Sequence, residues 1–201
     1  MPPRAASARR LQRLLLLAAI GVSPVGVAAP GLAQLEALSP AAPPILATRA
    51  ELSVAVVFPS EQTAQVLVFR GASVEARSAA FEFPLVANYG AAWVDTIDIP
   101  SMSRFTIRMR TRQTCGPWVY NYRFAERREA WVVSGLDRVE NECSKAGIAQ
   151  SSKASYDFLK GTIVRTEIRR RAPQEHSTTH HVFTAFPLAS FEAFASRYEP
   201  E

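Results

Sequence analysis

Three histidines within a short stretch, His176, His180 and His181, are the first candidates for chemistry. On a strand His176 and His180 would share a face, and such a pair of imidazoles can bind Zn²⁺ or Cu²⁺ when a third ligand converges on it. The nearest acid, Glu175, would point away from that face. Because the segment is otherwise polar and typical of a loop that enters a strand, we predict exposed histidines, no metal site and no cofactor.

Arginines form the second candidate set, since Arg104, Arg108, Arg110 and Arg112 alternate with apolar residues. A guanidinium group binds phosphate or carboxylate through two parallel hydrogen bonds. These arginines are therefore candidate ligands for an anionic glycan, a lipopolysaccharide phosphate or an acidic protein. The simpler interpretation, which we favour for these residues, is that they form the solvated side of a one-sided sheet, where nearby glutamates neutralise part of their charge.

Carboxylates are a third candidate set because two that approach each other can cleave a glycoside by acid–base catalysis. Four aspartates lie in or near predicted strands, but nothing in their spacing indicates that they converge: Asp95, Asp98, Asp137 and Asp157. The chain also contains no Gly-x-Ser-x-Gly or Ser-x-x-Lys element. We therefore predict no catalytic residue, and a secreted hydrolase remains the alternative.

The two cysteines, Cys115 and Cys143, are too far apart in sequence for a Cys-x-x-Cys redox motif. In an oxidising compartment an isolated pair is most simply a disulfide. The bond would close a loop of about 28 residues and stabilise the fold by roughly 3–4 kcal/mol in the chain-entropy model. The spacing also leaves open two free thiols.

The N-terminus has the features of a signal peptide over residues 1–33. Its basic part carries four arginines and no acid, and the apolar run LLLLAAI follows at Leu14 to Ile20. Small residues end the segment, so we predict cleavage between Ala33 and Gln34 and a periplasmic or secreted protein. An uncleaved anchor is the alternative. The mature chain contains no other apolar stretch long enough to span a bilayer.

Cleavage changes the charge argument, because the formal net charge of +5 includes the four arginines of the signal peptide. The mature chain is left near +1, which gives no case for binding nucleic acid.

Short Val-rich or aromatic runs between turn residues predict strands in the mature chain. The clearest alternation runs from Arg104 to Arg112 and from Trp118 to Phe124, and we expect these two strands to form a hairpin with a shared buried face. The other predicted strands are 52–58, 64–69, 93–99, 130–136, 155–159, 162–169 and 179–186.

These runs predict a mainly β fold, an antiparallel meander, sandwich or open barrel of about eight to nine strands. A short C-terminal helix is expected from Pro187, because Leu188, Phe191, Ala195 and Tyr198 recur at helical spacing. We expect a Pro/Ala-rich extended lead-in at 34–50 and a single domain at 51–201.

Three sequence segments together resemble a known group of proteins: Tyr120-Asn121-Tyr122-Arg123-Phe124, then Trp131 and Gly135, then YDFLKG at 156–161. They are similar to the C-terminal half of exported bacterial proteins of unknown function that share an aromatic strand and a later N-[FY]-L-T-G-K motif. The resemblance covers about residues 50 to 170. Asp157 stands where the group usually has Asn, and Lys160 replaces Thr. No activity is assigned to the group, so the resemblance implies no functional residue.

The sequence as a whole favours a non-enzymatic exported protein that binds an anionic envelope component or another exported protein. Besides the hydrolase, a structural accessory subunit is an alternative, for which a large exposed apolar patch would be the sign.

Overall fold

The computed structural model describes residues 30–85, 91–114, 116–144, 147–169, 175–180 and 184–194. Nearly all of the predicted signal peptide lies outside these ranges, as do Cys115 and His181. Within the described ranges, no helix is long and apolar enough to cross a bilayer.

The first sheet contains five antiparallel strands near the start of the described chain. They are β1 (Ile45–Arg49), β2 (Leu52–Ser60), β3 (Thr63–Arg70), β4 (Ser73–Arg77) and β5 (Phe81–Glu82). The first four follow one another across the sheet, and β5 pairs with the start of β3 beyond the end of β4. A short helix, α1 (Leu32–Ala37), precedes them.

The second sheet contains eight antiparallel strands, seven of which are neighbours in chain order. These seven are β6 (Ala92–Ser101), β7 (Arg104–Thr111), β8 (Trp118–Arg127), β9 (Ala130–Ser144), β10 (Gly147–Asp157), β11 (Thr162–Arg169) and β12 (Glu175–His180). The last strand, β13 (Phe186–Pro187), pairs with Val132 and Val133 of β9, beyond the point where β10 ends.

The fold is mainly β and antiparallel, as predicted. The two sheets share one hydrophobic core. The alternation predicted for β7 and β8 is confirmed. Phe105, Ile107 and Met109 of β7 are at most 1% exposed, and they pair in register with the buried aromatics of β8. Phe105 and Phe124 stack with ring centroids 4.4 Å apart. The arginines of β7 therefore lie on the outer face of the second sheet.

Among the described residues, Arg70 and Arg49 connect the two sheets. Arg70 of β3 forms ion pairs with Glu75 at 3.1 Å and with Glu126 of β8 at 3.2 Å. The hydrogen bond to Glu75 is the main reason that the pKa of the Arg70 guanidinium is raised, and both carboxylates add to the effect. Arg49 of β1 donates to the carbonyl oxygens of Ile99 and Pro100 in β6.

The strand count is higher than predicted because three short strands of the first sheet carry no alternating pattern. These are β1, β4 and β5, and each is specified by pairing with a buried partner: Ile45 of β1, for example, lies opposite Val56 of β2. The last predicted strand, 179–186, is also displaced. The structure places strands at Glu175–His180 and Phe186–Pro187 instead.

The predicted C-terminal helix is wrong over the described residues. A single 3₁₀ turn, Leu188–Ser190, is followed by extended backbone at Phe191 and by a left-handed residue, Phe194, with φ of 59°. The spacing of Leu188 and Phe191 reflects insertion between the sheets, where both are at most 1% exposed. Packing of the aromatic side chains therefore overrides the helical period. Residues 195–201 lie outside the described ranges.

The lead-in contains more regular structure than the extended segment expected at 34–50. Besides β1, it includes most of α1, whose Leu35 is fully buried. Leu35 packs against a second apolar cluster on the first sheet that consists of Ala55, Val57, Leu67 and Phe69.

Candidate functional site

Three turns meet at one end of the second sheet, because consecutive antiparallel strands reverse there. They connect β6 to β7, β8 to β9 and β10 to β11. Arg104 begins β7, Arg127 ends β8 and Asp157 ends β10, so these three residues lie at the same edge of the meander.

An open groove of about 660 Å³ lies at this end of the second sheet. We call it the basal groove, and it is lined by Pro100, Arg104, Phe105, Thr106, Arg123, Phe124, Ala125, Arg127, Ser134, Asp157, Leu159 and Lys160. Four of these residues are cationic and one is acidic. The groove therefore carries a local excess of positive charge on a chain whose predicted mature form is nearly neutral.

Strand register brings the arginines of the basal groove close together. Arg104 of β7 lies directly opposite Ala125 of β8. Arg123 and Arg127 are therefore its two diagonal neighbours on the same face, and such diagonal positions are about 7–8 Å apart. Arg104 and Arg127 therefore start from neighbouring strand ends, whereas the Arg123 guanidinium reaches across β9 toward β10.

Arg123 is held at the floor of the basal groove by fixed partners. Its Nη2 donates to the Tyr156 carbonyl oxygen at 2.6 Å, and its Nη1 lies 3.3 Å from Oδ1 of Asp137. Gly135 makes this possible, because a Cβ there would lie 2.6 Å from Arg123 Nε and 2.6 Å from the same carbonyl oxygen. The charge of Arg123 is thus set in place before any ligand arrives.

Arg104 and Arg127 differ from Arg123 because they lack fixed partners. Among the residues that the structure describes, neither forms an ion pair or a side-chain hydrogen bond. Glu126, next to Arg127 in sequence, is engaged by Arg70. These two guanidinium groups are therefore free to bind a ligand.

Lys160 completes the cationic set at the rim. Its Nζ lies 3.6 Å from Oδ2 of Asp157, and its side chain is 77% exposed. Oδ1 of Asp157 accepts the backbone N–H groups of Leu159 and Lys160, so the one acid among the described lining residues is used to order the turn.

The four arginines that the sequence singles out have different partners and positions in the structure. Arg110 lies 2.7 Å from Oδ2 of Asp95, and Arg108 hydrogen-bonds Asn121 at 2.9 Å while approaching the same carboxylate at 3.9 Å. Arg112 follows the end of β7 and is exposed. Only Arg104 belongs to the basal groove.

Three of the four candidate carboxylates are engaged by polar groups of the second sheet. Asp95 is bound to Arg110, and Asp98 is exposed on β6. Asp137 accepts a 2.6 Å hydrogen bond from Ser155 and pairs with Arg123, while Asp157 orders its turn. Each of the three engaged carboxylates already has a structural partner.

The histidine and cysteine predictions fall largely outside what the structure describes. His176 and His180 lie on the backbone of β12, opposite Thr166 and Thr162, but the described residues do not include their side chains. The same holds for the side chain of Cys143, so the disulfide to Cys115 stays a prediction. The described side chains contain no cluster of metal-ligating type.

Three groove residues were missed by sequence reasoning, namely Arg123, Arg127 and Lys160. The alternation from Trp118 to Phe124 places Arg123 on the outer face of its strand, but no sequence pattern singles out Arg127. The register of the β7–β8 hairpin, which aligns Arg104 with Ala125, is the signal that joins them. That register follows from placing Phe105 opposite Phe124.

The three segments on which the expected resemblance rests lie near this site. Tyr122, Phe124, Trp131, Tyr156 and Phe158 are all buried, whereas the Gly of the second segment supports Arg123. Comparisons with family models, curated proteins and solved structures find nothing that matches this chain.

Proposed function

We propose that this protein is a non-enzymatic, exported binding protein that holds an anionic, phosphate-bearing envelope component in the basal groove. The observation that carries the proposal is the pair Arg104 and Arg127, which lie on one face beside the fixed charge of Arg123 and lack carboxylate partners among the described residues. The proposal keeps Arg104 from the predicted anion-binding set and replaces its other members.

The contrast with Arg108 and Arg110 supports this choice of site. Those two arginines share Asp95, so an incoming anion would compete with a carboxylate already in place. At Arg104 and Arg127 an anion meets guanidinium groups that have no carboxylate partner among the described residues, and charge-assisted bonds to such groups are the stronger kind.

Export is part of the same proposal and depends on the predicted signal peptide, with cleavage between Ala33 and Gln34. An oxidising envelope compartment also agrees with the predicted Cys115–Cys143 disulfide. The hydrolase alternative gains no support, because Asp95, Asp137 and Asp157 are each engaged by structural partners.

The test is titration calorimetry of the purified exported protein with inositol hexakisphosphate, a soluble phosphate-rich probe. Arg104→Ser/Arg127→Ser should weaken binding by at least about tenfold, because each charge-assisted hydrogen bond contributes about 1.5–3 kcal/mol. Affinity should also fall steeply between low and physiological salt.

The matched control is Arg108→Ser/Arg110→Ser, which removes the same number of charges from the same outer face of the second sheet. We expect this variant to bind within about twofold of the unsubstituted protein, because its arginines lie outside the groove. Equal losses in the two double variants would indicate non-specific charge attraction and reject the basal groove as the site.

A further inference from the structure

The β10–β11 turn displays an apolar side chain at the rim of the basal groove. Leu159 is 45% exposed, although its neighbour Phe158 is only 3% exposed and Tyr156 is fully buried. The turn is therefore anchored in the core on one side of Leu159, while Leu159 itself is presented to solvent.

This presentation is fixed by local hydrogen bonds. Asp157 Oδ1 accepts the backbone N–H groups of Leu159 and Lys160, both at 3.1 Å. Gly161 then takes a positive φ of 66°, which allows the chain to reverse into β11. These bonds order the backbone of the turn that carries the exposed Leu159 side chain.

Cationic side chains line the groove beside Leu159, which we call the apolar tip of the turn. Arg104, Arg127 and Lys160 line the same groove as Leu159, and Pro100 lines it as a further exposed, apolar residue. Segments that combine basic residues with an apolar group bind membrane interfaces, because anionic headgroups attract the charges and the apolar group leaves water.

From this juxtaposition we infer that the groove end of the second sheet docks on an anionic lipid surface, with headgroup phosphates in the basal groove and Leu159 among the headgroups. The inference rests on the proposed function and names the source of the phosphate. Three turns end at the same edge of the sheet, so they can meet a plane together. A soluble polyanion would leave Leu159 in water, whereas a bilayer surface accommodates it.

The experiment is co-sedimentation of the purified exported protein with two kinds of vesicle, phosphatidylcholine alone and phosphatidylcholine mixed with phosphatidylglycerol. We expect sedimentation with the mixed vesicles and little with the zwitterionic ones. Each groove cation replaced by Ser should lower the partition coefficient by about fivefold at physiological salt.

Leu159→Ser separates lipid docking from simple anion binding. It should lower the partition coefficient for the mixed vesicles by about tenfold. Its effect on the affinity for inositol hexakisphosphate should be smaller than this. Val164→Ser is the matched control, because Val164 is similarly exposed, at 42%, but lies on β11 outside the groove. It should partition like the unsubstituted protein.

The outcomes distinguish the two proposals. Binding of inositol hexakisphosphate without sedimentation on mixed vesicles would overturn lipid docking and leave the anion-binding function standing. Equal partition of the Leu159→Ser and Val164→Ser variants would also overturn it, since the apolar tip would then contribute nothing. Failure to bind either probe would overturn both.

Discussion

At the scale of single residues, the contacts around Gly135 explain why a glycine lies in the middle of the long strand β9. A strand glycine normally weakens a sheet, because it has no side chain to pack and loses more backbone entropy. Here its missing Cβ leaves room for the Arg123 side chain to cross β9 and reach the Tyr156 carbonyl oxygen on β10. The glycine is thus a condition for the fixed positive charge in the basal groove.

Gly135→Ala tests this role. The added Cβ would crowd both Arg123 and a backbone oxygen, so we expect the free energy of unfolding to fall by about 1–3 kcal/mol in urea denaturation. In the Gly135→Ala/Arg123→Ala variant one of the two clashes is absent, so the losses should be less than additive. Strict additivity would contradict the coupling.

At the scale of elements, the segment from Phe186 to Phe194 completes the core that the sheets leave open. The Phe191 ring lies 5.0 Å from the rings of Phe81 and of Tyr122, which belong to different sheets. The Phe194 backbone N–H donates to the Tyr122 hydroxyl at 2.7 Å. This segment works as a wedge between the sheets rather than as a surface helix.

Phe191→Ala should therefore lower the free energy of unfolding by about 3–5 kcal/mol, the usual loss for a buried Phe. Phe186→Ala is the comparison variant, because Phe186 is only partly buried against Phe158. Its loss in the same urea titration should be clearly smaller. Equal losses would show that Phe191 has no special place in the core.

The same elements show what sequence alone could predict. The period of two in β7 and β8 was readable because each strand buries one face and leaves the other in water. The short strands β1 and β4 could not be predicted in this way, since long-range pairing specifies them. The C-terminal segment misled prediction, because residues wedged between two sheets can mimic the spacing of a helix.

At the scale of the whole molecule, the basal groove is built from residues far apart in sequence. Arg104, Arg127 and Lys160 come from three different turns or strand ends and meet only because the meander aligns those ends. The sequence identifies the arginines of one strand. It does not show which of them are available to bind an anion, because that depends on Asp95, which neutralises two of them. The presence or absence of a neighbouring carboxylate, rather than the number of arginines, therefore distinguishes the basal groove from the other arginines of β7.

The predicted Cys115–Cys143 disulfide is also a property of the whole molecule, because it depends on the compartment in which the protein folds. Thiol titration of the purified protein, denatured without reductant, should find no free thiol. Reduction should then lower the free energy of unfolding by about 3–4 kcal/mol. Two titratable thiols before reduction would contradict the bond.

The wedge formed by Phe191 has a consequence for synthesis. A nascent chain cannot close its core until this residue has emerged from the ribosome, whereas most of both sheets is made earlier. At typical translation speeds of about 5–20 residues per second, the strands between residue 52 and this phenylalanine remain without their last aromatic partner for several seconds. If the predicted signal peptide directs export, the chain would meet the translocation channel before this core is complete.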